Sequence, residues 1–145
     1  MKINVQKVSD SKAMDACLAI RHVVFVEGQN VPLNEELDGK DKDSEHYLLN
    51  VDNHPVGVAR VRYLSDFAKI ERVAVLDSLQ GRGLGKYLME FILNDLACNT
   101  SLKSVKLSSQ ISAISFYEKL GFIVCSDEYI DAGIPHKDMK LMLRD

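Results

Sequence analysis

The chain has 145 residues, 46% hydrophobic and 27% charged, enough to bury roughly 70% of the unfolded surface, so residues 1–145 read as a single domain around one core. A formal charge of -3 gives no broad attraction to phosphate backbones or anionic membranes, and no apolar run is long enough to span a bilayer, so nucleic-acid binding and membrane insertion are not expected. The cysteines, Cys17, Cys98 and Cys125, are odd in number and lack C-x-x-C spacing, which argues against a disulfide framework or a metal site and for reduced thiols buried among apolar neighbours in a cytoplasm.

Residues 2–8 alternate polar and apolar, which predicts a first strand and not a signal peptide, and Ser9-Asp10-Ser11 supply oxygens able to cap a helix. Apolar residues from Ala13 to Phe25 recur near helical spacing. Glu27 to Glu45, rich in Asp, Glu, Asn and Gly, reads as a long loop with a short helical turn. His46–Val51 and Val56–Tyr63 flank the turn Asp52-Asn53-His54-Pro55 and predict a hairpin, continued by a strand over Ala68–Val75. Leu84–Ala97 has one apolar helical face and follows a glycine cluster. A strand at Ser104–Leu107, a helix over Ser112–Leu120 ended by Gly121, a strand over Phe122–Tyr129 and a last strand over Lys137–Leu143 complete the order. The expected fold class is α/β (α+β): a mixed, mostly antiparallel central sheet with helices on both faces.

The turn Gln80-Gly81-Arg82-Gly83-Leu84-Gly85-Lys86 carries the strongest chemical signal. A strand, a short connection and three glycines opening a helix suit an anion, because the first helical N–H groups lack partners and the dipole is positive there. A Walker motif needs Gly where Gln80 stands and Ser or Thr where Tyr87 stands. A dinucleotide fingerprint starting at Gly81 needs Gly at Lys86 and an acidic residue at the end of the strand at 104–107. Both readings fail.

The remaining pattern, Gln-x-x-Gly-x-Gly after Ile70-Glu71-Arg72-Val73-Ala74-Val75, resembles the GNAT superfamily of acyl-CoA-dependent N-acyltransferases. A second family mark, Asn-x-x-Ala-x-x-x-Tyr-x-x-x-Gly-Phe, is matched by Gln110-Ile111-Ser112-Ala113-Ile114-Ser115-Phe116-Tyr117-Glu118-Lys119-Leu120-Gly121-Phe122, departing only at Gln110. Two further stretches, Arg21 to Gln29 running into Glu36–Asp41 and His46, and Asp131 to His136 with Met139, resemble the ElaA/YjcF-like subgroup.

The resemblance implies acetyl-CoA as co-substrate, no metal, and a small-molecule amine as acceptor. It implies pyrophosphate binding at Gln80–Lys86, pantetheine pairing along Val73, Ala74 and Val75, and further cofactor contacts from Gln110, Ala113, Phe116 and Tyr117. Tyr117 matches the tyrosine that returns a proton to the leaving thiolate, a step a phenol can perform. Base candidates are Glu71, on the same face of its strand as Val73, and the imidazoles of His46 and His136. Glu71 has a competing reading as a strand carboxylate paired with Arg60, Arg62 or Arg72. Arg21, Gln29 and Asp38 are acceptor-site candidates, and the carboxylates of the 27–45 loop make a field suited to a cationic amine. Direct attack in a ternary complex is expected, since no cysteine sits in an activated setting. The competing readings are a non-catalytic acyl-CoA sensor and a protein-directed acetyltransferase, and exposed strand edges offer a route to a homodimer.

Overall fold

Asp10 starts the first helix: its carboxylate accepts from the Ala13 N–H at 2.8 Å, satisfying one of the orphan donors of the first turn. In the computed structural model, which describes residues 1–145, the elements run β1 (Ile3–Lys7), α1 (Ser11–Arg21), a π-helical turn (His22–Glu27), α2 (Leu33–Glu36), a 3-10 turn (Asp41–Asp43), β2 (Glu45–Val51), β3 (His54–Leu64) and β4 (Phe67–Val75). A 3-10 turn (Asp77–Leu79), α3 (Leu84–Ala97), β5 (Ser104–Gln110), a 3-10 turn (Ile111–Ala113), α4 (Ile114–Glu118), β6 (Ile123–Val124), β7 (Tyr129–Asp131) and β8 (Ile134–Met142) follow.

The strands form one sheet in the order β1-β2-β3-β4-β5-β8-β6, with β7 paired to β8. Every pairing is antiparallel except β4 with β5. The β2–β3 hairpin turns on Asp52 and Asn53, both at positive φ, the geometry that matches the twist of the flanking strands. Alternation divides the sheet into two faces. Leu48, Val58 and Ala74 meet Ala13, Cys17 and Ile20 of α1. Tyr47, Leu49, Ala59, Val61, Ala68 and Ile70 share the larger core with Leu84, Leu88, Met89, Ile92 and Leu96 of α3. No helix is long and apolar enough to cross a membrane.

Three expectations change. The helix predicted to Phe25 leaves α-geometry after Arg21 and continues as the π-helical turn. The strand predicted over Phe122–Tyr129 is two strands, because β6 and β7 pair with β8 in registers that differ by two residues, and the Ser126 hydroxyl takes the Asp138 N–H. Only Cys17 is buried; Cys98 and Cys125 are exposed. Burial pushes the Cys17 thiol up to about 11, so it behaves as a small hydrophobe.

Candidate active site

Strands β4 and β5 pair only over Phe67–Ile70 and Ser104–Leu107, then separate while β4 runs on to Val75 and β5 to Gln110. On its other edge β4 carries a bulge. Arg60 pairs with Glu71 and Val58 with Ala74, leaving Arg72 and Val73 opposite the single residue Ala59, with Arg72 at φ 58°. A bulge bends the strand and re-aims its backbone groups, and a left-handed Arg costs about 1–3 kcal/mol unless its surroundings hold it. Here the Arg72 guanidinium donates to the Glu35 and Glu36 carbonyls, both at 3.1 Å, and lies 3.4 Å from Asp38. The parting strands open a cleft of about 920 Å³, lined in part by Val73, Val75, Gln80, Gln110, Ala113 and Tyr117.

One end of the cleft reaches the glycine turn. The Gln80 side-chain amide donates to the Val75 carbonyl at 3.2 Å and to Asp77 at 3.0 Å, so it holds the turn closed. Gly83 is the N-cap of α3 at φ 76° with no side-chain cap, and the amides of Gly81, Arg82 and Gly83 find no backbone acceptor. A Cβ on Gly81 or Gly83 would meet nothing within 4 Å, so the turn is an open cradle of donors. Gly85 faces packing instead: a Cβ built there would stand 3.4 Å from the Phe116 ring, at van der Waals contact between α3 and α4. Leu84 is buried in the core, and Lys86 pairs with Glu90 on the surface at 3.7 Å.

Tyr117 lies in the cleft wall, 9% exposed and packed edge-on against Phe116 and Phe122. Burial alone pushes its phenol up to about 12. The open donor turn, the parted strands and a buried tyrosine between them fit a thioester co-substrate carrying a pyrophosphate.

Residues 20–143 match the acetyltransferase (GNAT) domain family. The chain belongs to the GNAT acetyltransferase family. It is 39% identical over 121 residues to the uncharacterized N-acetyltransferase YjcF of Bacillus subtilis, covering 83% of this chain and 86% of that one. It is 34% identical over 129 residues to Protein ElaA of Escherichia coli, covering 86% and 84%. The ElaA crystal structure superposes with a TM-score of 0.87 at 30% identity over 97% of this chain and 99% of ElaA. An acyl-CoA N-acyltransferase from Pseudomonas aeruginosa gives 0.84 at 27% identity, covering 97% and 98%.

The far side of this GNAT cleft is dominated by ion pairs. Arg60, 0% exposed, donates to both carboxylate oxygens of Asp38 at 2.8 Å, to Asp41 at 3.0 Å and to Glu71 at 2.8 Å. Arg62 binds the same Glu71 at 2.7 Å, and Arg21 donates to Glu36 at 2.5 Å and Asp41 at 2.7 Å. The Arg60 Nε finds no acceptor, and the Arg72 Nε lies 3.5 Å from Glu36, an ion pair outside hydrogen-bond geometry. The Arg60 hydrogen bonds hold Asp38 far below the usual carboxylate range, and paired arginines outweigh burial to lower Asp41 and Glu71 as well.

This arrangement separates the candidates. Glu71 takes its competing reading, paired with Arg60 and Arg62, while Arg72 turns to the loop. Arg21 is buried in ion pairs and does not line the cleft; Asp38 lines it with its carboxylate committed to Arg60. The His46 Nε2 contacts the Asp41 carbonyl at 2.8 Å outside the cleft wall, which makes His46 a tie for the loop. Gln29 accepts from the Gln110 amide at 3.0 Å, joining the loop to the end of β5.

His136 lies in the cleft wall, opposite Gln110 on the paired strand. Its Nδ1 sits 2.7 Å from the Ile134 carbonyl. A carbonyl only accepts, so this contact places the hydrogen on Nδ1 and leaves Nε2 with a free lone pair in the neutral ring. The ring stacks on Tyr129, whose hydroxyl donates to Asp138 at 2.5 Å and contacts Ser108. Sequence reading passed over Tyr129, Asp138 and Ser108, because only the pairing of β7, β8 and β5 brings them together. No three His, Cys, Asp or Glu side chains are grouped to hold a metal ion.

Proposed function

We propose that this GNAT domain transfers an acetyl group from acetyl-CoA to a primary amine by direct attack, with His136 as the base and Tyr117 as the proton donor. The observation that carries this reading is the pair of complementary groups lining one cleft: an imidazole whose Nδ1–H is spent on the Ile134 carbonyl, and a buried phenol. When bound, the co-substrate supplies an activated thioester carbonyl. The donors at Gly81–Gly83 hold its pyrophosphate, and the bulged backbone at Val73 orients the acyl end.

His136 Nε2 removes the proton that the ammonium must lose before nitrogen can attack. The Tyr117 hydroxyl gives its proton to the departing sulfur, and a phenol whose proton affinity is raised by burial recovers it readily from the amine side of the cleft. Glu71 acts as a fixed countercharge to Arg60 and Arg62, since a carboxylate with lowered proton affinity is a weak base.

Thiol release from acetyl-CoA across a panel of amines, amino acids, amino sugars and peptides tests the reading. On the best acceptor, Tyr117→Phe lowers kcat by about 10²-fold or more while the KM for acetyl-CoA holds, and His136→Asn does the same. An acetylated cysteine formed from acetyl-CoA alone and competent to pass its acetyl group on would replace direct attack with a covalent route.

A further inference from the structure

The sheet face that carries Glu71 also carries an unusual row of cations. Arg62 on β3 is opposite Lys69 on β4, Lys69 is opposite Lys106 on β5, and Lys106 is opposite Lys140 on β8. Like charges directly opposite each other across strands destabilise a sheet. Glu71 answers the first two, at 2.7 Å from Arg62 and 3.6 Å from Lys69. Lys106 has only the face of the Phe67 ring, 4.1 Å from its ammonium, and Lys140 has no carboxylate in ion-pair range. The nearest carboxylate along β8, Asp138, lines the same depression beyond ion-pair range of either lysine and accepts from the Tyr129 and Ser108 hydroxyls.

This row is open. Helix α1 covers the same face only as far as β4, so β5 and β8 carry no helix there. Lys69, Lys106 and Lys140 line a depression of about 470 Å³ that shares Lys69 and Leu107 with the active-site cleft. Lys106 and Lys140 each stand four residues along their strands from the paired level of Gln110 and His136. At strand rise that is about 13 Å, shortened to roughly 10 Å by the reach of a lysine side chain.

We infer that the Lys69–Lys106–Lys140 row binds an anionic group of the acceptor, so that the substrate is a primary amine bearing a phosphate or carboxylate about 10 Å from its nitrogen. The inference rests on the acetyl-transfer reading for the amine half only; the anion site stands on the sheet geometry. An anion there relieves the cross-strand repulsion and forms charge-assisted hydrogen bonds, while the attached amine reaches His136. Choice of acceptor then comes from the sheet face beyond the reacting groups.

Calorimetric titration of the full chain, with CoA present, against aminohexyl phosphate, aminoheptanoate and aminohexanol tests it. The two anionic amines bind about tenfold or more tightly than the alcohol, and their ranking identifies phosphate or carboxylate as the anion. The double substitution Lys106→Gln with Lys140→Gln erases that preference, keeps CoA binding, and raises the Tm, because it removes like-charge contacts. Equal binding of the three compounds, binding of none, or a preference that survives the double substitution overturns the anion site. Thiol release from acetyl-CoA with the same compounds separates the two readings. An intact preference without acetyl transfer removes the acceptor role and keeps the anion site; transfer without the preference removes the site and keeps the acetyltransferase.

Discussion

Replacing Arg60 by Met tests whether the buried ion pairs hold the acceptor side of the cleft together. Arg60 has no solvent exposure and donates to Asp38 twice, to Asp41 and to Glu71. Methionine fills much of the space but leaves Asp38 with the Lys40 N–H at 3.1 Å and the distant Arg72 contact. Removing one partner of a buried pair costs about 3–5 kcal/mol, since the remaining charge stays out of water. In a chain of this length that lowers the Tm by roughly 6–20 °C. The pH dependence gives a sharper signature. In the native protein Asp38 and Asp41 are held below their ordinary values, so their contribution is in place above about pH 4 and is lost as pH falls through the lowered values. Without Arg60, burial of Asp38 favours its neutral form, so protonation stabilises the variant. The gap between native and Arg60→Met therefore narrows on going from pH 7 to pH 4. Urea unfolding at both values measures it; a gap below about 1 kcal/mol at pH 7, or one that stays constant, refutes the assigned role.

Two further outcomes are expected. Gly83→Val places a β-branched residue at φ 76° and a side chain into the open donor cradle, so acetyl-CoA affinity falls by about tenfold or more with a stability loss near 1–2 kcal/mol; unchanged affinity by calorimetry removes the turn from the site. Brief treatment of the native chain with a thiol-alkylating reagent labels Cys98 and Cys125 and spares Cys17, which is buried with a raised thiol; intact mass showing a third adduct before unfolding contradicts that burial.

The halves of the cleft differ in how far the sequence reveals them. The co-substrate half depends on backbone: glycines at 81, 83 and 85, a helix behind them, and a Tyr-x-x-x-Gly-Phe segment at fixed separation, all written locally. Its details still shifted, because Gln80 closes the turn with its own amide and Leu84 belongs to the core. The other half is built from side chains that meet across long stretches of chain, as Arg60 does with Asp38 and Gln29 with Gln110. A charged residue inside the run Val58-Ala59-Arg60-Val61 was the one local sign of a buried pair, since an unpaired arginine there is too costly to bury. His46 and His136 were equivalent in sequence, and their separate roles come from the Asp41 and Ile134 carbonyls.

Charge shows the same division between what a sequence lists and what a fold leaves available. The 27–45 loop is rich in carboxylates, which by composition suits a cationic acceptor. Folding commits Glu36, Asp38 and Asp41 to Arg21, Arg60 and Arg72, so their field largely cancels within the protein. The lysines on β5 and β8 face the opposite situation, with no carboxylate of their own chain within ion-pair range. The cleft itself keeps the carboxylates of Glu35 and Asp131 outside any ion pair, a field that suits the amine end of a ligand, while the unpartnered lysines line the adjoining depression. An amine that carries a negative group at its other end satisfies both regions, its nitrogen in the cleft beside His136 and its anion on the lysine row, which is why the row adds to the expectation for the acceptor that the acidic loop alone would set.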